Sequence, residues 1–227
     1  MDAVIVKVGG SLAIHPEKLR SLCAKLAKSA KEHRLIVVPG GGEFADTVRK
    51  VDSRFSLSPQ ISHRMAILGT DQYGLLLSQL LANSFLTCKL EDVQEILDSG
   101  RLPVFLPSAL LFSEDDLENS WDVTSDSIAL YVAGRLHVPR VVLVTDVDGV
   151  YNCDPKKFSD ARLIRRLSAC DLLEMEKRTS VDRFLPKLLL QFKVECFVVN
   201  GLQPQRVEAI LNGKKTICTL INGNPNN

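Results

Sequence analysis

Val141-Val142-Leu143-Val144-Thr145-Asp146-Val147-Asp148-Gly149-Val150-Tyr151-Asn152-Cys153-Asp154-Pro155 decides the fold. Apolar β-formers run without a polar break into two carboxylates, a glycine, an aromatic ring and an Asp-Pro turn. Such a run fits a strand covered on both faces, as in a parallel sheet. In open parallel sheets ligands bind outside the carboxyl ends of the strands. Asp146 therefore falls where chemistry is usually placed, and Tyr151 falls in the loop that follows.

The same arrangement occurs twice upstream. Val4-Ile5-Val6-Lys7-Val8 runs into Gly9-Gly10-Ser11, and Leu35-Ile36-Val37-Val38 runs into Pro39-Gly40-Gly41-Gly42. Glycines let backbone N–H groups approach an anion closely, and helix N-termini favour negative charge. Two such loops point to two anionic groups. Lys7 adds a cation inside an apolar strand. Because unpaired lysines are rarely buried, it is expected to face a ligand at the strand's end.

Outward from these strands the pattern alternates. Helices are expected at residues 16–30, 44–51, 59–82, 91–97 and 124–136, and strands at 35–38, 85–87, 103–106, 196–199 and 216–220. Pro204 opens a last helix that Gly213 closes. The alternation predicts an α/β fold, a single three-layer αβα sandwich on a mainly parallel open sheet over residues 1–221. A frayed tail is expected at 222–227. Tyr73, Phe85 and Phe105 read as core, and the acidic run 114–118 as a solvated loop.

Composition agrees with a soluble enzyme. The 227 residues carry 28 Lys+Arg against 27 Asp+Glu, a net charge of +1, which gives no support for a nucleic acid or a membrane surface as partner. No apolar run reaches the length of a membrane span and no signal-peptide pattern is seen, so a cytoplasmic protein is expected. The six cysteines show no metal spacing and read as reduced thiols; the four histidines form no H-E-x-x-H.

In their order along the chain, Lys7-Val8-Gly9-Gly10-Ser11, Gly40-Gly41-Gly42, Thr124-Ser125-Asp126, the Thr145 to Tyr151 segment with Asp154-Pro155, and Lys187 resemble the amino acid kinase family. That family includes acetylglutamate kinase, aspartokinase, carbamate kinase, uridylate kinase and isopentenyl phosphate kinase. The resemblance implies ATP-dependent phosphoryl transfer, which is mostly positioning and charge stabilisation. It assigns Lys7 and Lys187 to the transferred phosphoryl group and Asp146 to holding both lysines in place. Gly9, Gly10, Ser11, Thr145, Tyr151, Asp154 and Lys156 are the expected ATP side. Mg²⁺ is expected to ride on the phosphates, with no protein residue assigned as its ligand. Gly40, Gly41, Gly42, Glu43, Asp46, Arg49, Arg64, Asp71 and Asp126 are the expected acceptor side, with Gly74 leaving room for the ligand. A homo-oligomer is expected.

No general base stands out, and an already ionised phosphate or carboxylate acceptor needs none. Uridylate kinases carry Thr-Arg-x-Asn-Ala where this chain reads Thr70-Asp71-Gln72-Tyr73-Gly74. Isopentenyl phosphate kinases place a histidine after the second glycine loop, where this chain continues Glu43-Phe44-Ala45-Asp46. The combination of Pro39 to Asp46, Asp71 to Gly74 and Val181 to Lys187 looks most like the branch that phosphorylates an amine-bearing furan phosphomonoester in methanofuran biosynthesis. Two segments depart from the family: its Gly-Gly-Met before the second lysine is replaced by Val181 to Pro186, and its C-terminal Gly-Thr reads Cys218-Thr219. Three alternatives stand beside this reading. They are uridylate or isopentenyl phosphate as acceptor, a non-catalytic nucleotide-binding regulatory or storage protein of the same fold, and a dinucleotide site at Gly40, Gly42 and Ala45.

Overall fold

Parallel pairing around one central strand organises the chain. The computed structural model describes residues 2–175 and 179–223. Its sheet runs β3 (Ser84–Thr87), β4 (Leu102–Phe105), β2 (Leu35–Pro39), β1 (Val4–Val8), β5 (Arg140–Thr145), β9 (Glu195–Asn200), β10 (Thr219–Asn222) and β8 (Arg166–Ser168). All neighbours pair parallel except β9 and β10. A separate hairpin joins β6 (Val150–Tyr151) to β7 (Leu163–Ile164).

Every residue of β1, β2 and β4 is buried, which explains why those sequences do not alternate. Helices cover both faces. Val4, Val6 and Val8 pack with α1 (Pro16–Ser29), the C-terminal part of α3 (Pro59–Leu80) and α9 (Pro204–Leu211). Ile5, on the opposite face, packs with α4 (Leu90–Asp98), α5 (Ser108–Glu114), α6 (Ser125–Arg135), α7 (Ala169–Glu174) and α8 (Leu185–Phe192). The remaining helix, α2 (Gly42–Phe55), lies along α3. Side chains alternate along a strand, so Lys7 shares the Ile5 face and points toward α6.

Helices α1, α3, α4 and α6 fall within two residues of the expected bounds. Helix α2 is longer at both ends, starting at Gly42 with φ +54 and ending at Phe55, capped by Ser56 in the left-handed region. Strand β10 starts at Thr219 because the Thr219 hydroxyl donates to the Ile164 carbonyl at 2.6 Å and accepts from the Val150 amide at 2.8 Å. It runs to Asn222, so the tail expected from 222 does not begin there, and residues 224–227 lie outside the described residues. The acidic run is not simply a solvated loop. Glu114 ends α5, the Tyr131 hydroxyl donates to Glu114 and Asp116, and Arg135 pairs with Glu114. Among the described residues no helix is long and apolar enough to cross a membrane.

Candidate active site

At the carboxyl ends of β1, β2 and β5 the chain leaves a cavity of about 330 Å³. Its floor is Lys7. Its walls include Gly9, Gly10, Gly41 and Gly42 from the glycine loops, Glu43 from the first turn of α2 and Asp46 from its second, and Thr124 and Ser125 from the start of α6. Ser11, Arg49 and Thr145 also line it. Two helices therefore direct their positive ends into one space above a lysine, an arrangement that suits phosphate.

Lys7 is buried and paired: its Nζ lies 2.7 Å from Asp126 Oδ1, the side chains being 9% and 11% exposed. Asp126 stands in the first turn of α6, where the helix dipole favours a carboxylate. Asp146, expected to anchor the lysines, instead pairs with Lys156 at 2.5 Å. Burial pushes the Asp146 carboxyl up, but the Lys156 hydrogen bond and charge, with a Ser11 hydrogen bond, outweigh it and hold the carboxyl below its ordinary range. Asp126, expected on the acceptor side, is thus the partner of Lys7. The reason is the alternation of β1, which turns Lys7 under α6 and away from the end of β5.

The glycine loops lock together backbone to backbone. A Cβ on Gly10 would stand 2.0 Å from the Gly42 nitrogen, and one on Gly40 would stand 2.5 Å from the Gly10 nitrogen. The Gly9 amide, expected to face ATP, donates to the Val144 carbonyl at 2.7 Å. The Gly40 amide likewise donates to the Val8 carbonyl at 2.8 Å. These two glycines thus tie the loops to the sheet, and Gly40 is not among the cavity walls.

Other expected residues lie apart from the cavity. The Asp71 carboxylate accepts from the Ser108 amide and hydroxyl at the start of α5 and does not line the cavity; burial pushes its pKa up, opposed by those Ser108 bonds. Gly74 leaves no room for a ligand, because a Cβ there would meet Leu106 Cδ2 at 2.4 Å. Arg64 lies over the Phe112 ring at 5.3 Å in a neighbouring small cavity. Lys187 is exposed on α8 with Nζ 5.0 Å from the Phe184 ring centroid. Tyr151 and Asp154 sit beyond β5; Asp154 accepts from the Lys156 amide at 2.9 Å. Asp148 is held by Arg206 at 2.6 Å and by Asn200 at 2.9 Å.

Two wall residues were not singled out by the sequence. His63, from α3, lines the cavity; burial lowers its pKa despite a bond to the Ser120 backbone and nearby Asp115. Trp121 also lines it, with Arg49 stacked 4.5 Å from its ring centroid and its indole N–H donated to Asp52 at 3.0 Å. The only sequence hint for His63 is its spacing to Ile67 and Thr70, which places all three on one helical face.

Interlocked glycine loops, converging helix N-termini and a buried lysine define an α/β class that seats phosphate groups at the carboxyl edge of a parallel sheet. The chain belongs to the amino acid kinase family, whose sequence profile matches residues 2–200. It is 39% identical over 220 residues to the [5-(aminomethyl)furan-3-yl]methyl phosphate kinase of Methanocaldococcus jannaschii, covering 96% of this chain and 97% of that one. It is 28% identical to the uridylate kinase of Thermofilum pendens, covering 96% of each. In fold it is similar to the uridylate kinase of Archaeoglobus fulgidus, with a TM-score of 0.77 at 22% identity, covering 97% of this chain and 100% of that one. It is equally similar to the UMP kinase of Bacillus anthracis, with a TM-score of 0.78 at 19% identity, covering 98% and 96%.

Proposed function

We propose that the protein is an ATP-dependent kinase that converts a small phosphomonoester to its diphosphate in the cytoplasm, with [5-(aminomethyl)furan-3-yl]methyl phosphate as acceptor. The observation that carries the reading is the buried Lys7–Asp126 pair beneath two helix N-termini. The 39% identical relative supports the acceptor.

In this reading Lys7, fixed by Asp126, holds the transferred phosphoryl group, and the starts of α2 and α6 complete its charge complement. Lys187 supplies the second cation after leaving the Phe184 ring. The Asp146–Lys156 pair, with Ser11, Thr145, Tyr151 and Asp154, borders the nucleotide. Among the described residues no three His, Cys, Asp or Glu side chains converge on a metal. Mg²⁺ would arrive on the ATP phosphates, where it would supply charge neutralisation. The acceptor phosphate is ionised near pH 7, so no base is required. Glu43 and Asp46, on the cavity wall, pair with the acceptor's amine, and Arg49 on Trp121 holds its phosphate.

The test is ADP release with Mg-ATP across a panel of acceptors. The aminomethyl furan phosphate should exceed UMP and isopentenyl phosphate in kcat/KM by about tenfold or more, because its ammonium pairs with Glu43 and with Asp46, whose carboxylate otherwise holds only Arg49 at 2.9 Å. Asp46→Asn should narrow that gap. If UMP is the best acceptor of the wild type, the furan assignment is wrong.

We also propose a homo-oligomer built on α3. Ile61, Met65, Leu68, Gln72, Leu75 and Gln79 recur at alternating spacings of four and three, an uncharged heptad seam. Ile61 is 48%, Leu68 47% and Leu75 53% exposed. Such a row demands a matching helix, and a second copy of the chain brings one in a two-fold pairing. Leu68→Glu should halve the mass seen by light scattering without lowering the melting temperature measured at dilution. An unchanged mass counts against the seam.

A further inference from the structure

The segment that replaces the family's Gly-Gly-Met carries a carboxylate with no counterpart in that motif. Asp182 is 5% exposed and takes hydrogen bonds from five donors. Oδ2 accepts from the Thr124 amide at 2.9 Å, the Thr124 hydroxyl at 2.8 Å and the Ser127 amide at 2.9 Å. Oδ1 accepts from the Ser127 hydroxyl at 2.5 Å and the Leu185 amide at 2.9 Å. Burying a carboxylate is costly unless donors surround it, and here they do. The amides of Thr124 and Ser127 belong to the start of α6; that of Leu185 opens α8. The first amides of a helix have no partner within the helix, so one carboxylate satisfies two helix starts at once. Between Thr124 and Ser127 lies Asp126, the partner of Lys7. Two residues beyond Leu185 lies Lys187. The Phe184 amide adds a bond to the Asp122 carbonyl at 3.3 Å, and the Ser180 hydroxyl donates to the Gly149 carbonyl at 2.9 Å, so the segment is braced from both sides.

We propose that Asp182 is a positioning residue: it registers α6, and with it Asp126 and Lys7, against α8, and with it Lys187, so that the backbone positions of the two lysines keep a fixed separation on either side of the transferred phosphoryl group. The linkage of the two helices stands on the geometry alone; its effect on turnover rests on the kinase reading.

Asparagine at 182 tests this, because its amide group would face at least one backbone N–H whichever way it turns. Four full-length variants are needed: Asp182→Asn, Ser127→Ala, Lys187→Ala and the double Asp182→Asn/Lys187→Ala. Hydrogen exchange is followed at the starts of α6 and α8, and kcat and KM for ATP are measured. Asp182→Asn should speed exchange at both helix starts together. It should lower kcat about 100-fold while moving KM for ATP by less than about threefold, the split expected when positioning rather than binding is lost. The double variant should be no more than about threefold slower than Lys187→Ala, since both changes remove one interaction. Ser127→Ala removes a single bond and keeps the backbone, so it reports even if Asp182→Asn fails to fold; a kcat loss of about fivefold with the same exchange pattern is expected. Unaltered exchange at either helix, an unchanged kcat, or losses that multiply in the double variant would overturn the proposal. If exchange responds as stated but the wild type releases no ADP with any acceptor, the kinase reading fails and the helix linkage stands.

Discussion

Lys7→Ala is expected to lower kcat by two to three orders of magnitude, on the order of the loss seen when one preorganised electrostatic contact to a transition state is removed. The nucleotide should still bind, because the helix N-termini of the cavity remain. The same substitution should destabilise the fold by about 3–5 kcal/mol, since it leaves Asp126 buried without its partner. These effects separate in the double variant Lys7→Met/Asp126→Asn, which removes both charges and keeps both shapes. Its stability in denaturant should return close to wild type while its kcat stays low. A coupled ADP-release assay and urea unfolding read the two quantities. A double variant with wild-type kcat would remove Lys7 from the reaction.

Gly10→Ala is expected to act on both ligands at once. The added Cβ would stand 2.0 Å from the Gly42 nitrogen and 2.2 Å from its Cα. Backbone atoms cannot rotate away as a side chain can, so the two glycine loops must separate. Gly42 resists, being held at φ +54 at the start of α2. The cost should be about 1–3 kcal/mol of stability, the range for overpacking. Titration calorimetry should show both Mg-ATP and acceptor weakened by about tenfold or more, because α2 and the β1 loop shift together. Gly100→Ala is the control. It has φ +72 but nothing within 4 Å of its added Cβ, so it should cost only the backbone strain, about 1 kcal/mol, and leave binding unchanged. Unaltered binding in Gly10→Ala would mean that the interlock does not shape the site.

The alternation of apolar runs with helical periodicity was enough to read a parallel-rich sheet, because strands covered on both faces have no polar positions to hide. The glycine loops were legible for the same local reason: Gly9-Gly10 and Gly40-Gly41-Gly42 follow such strands directly. The β6–β7 hairpin was not, since its short strands are set by Thr219, far along the chain. The roles of the carboxylates were not legible either. Asp146 and Asp126 each follow a motif end, and nothing local says which one meets Lys7. Asp71 sat in a promising helix, yet its face turns to Ser108 rather than to the cavity.

By itself, then, the sequence determined the fold class, the sheet edge where the cavity lies, and the presence of Lys7 and the two glycine loops there. Each follows from residue type and spacing within a few positions, where chain geometry leaves little freedom. Only the tertiary structure decided the pairings: Lys7 with Asp126, Asp146 with Lys156, Asp182 with two helix starts, and His63 and Trp121 as cavity walls. Those depend on which faces of separate elements come to oppose each other, and that is fixed by how β1, α3, α6 and α8 pack across the sheet.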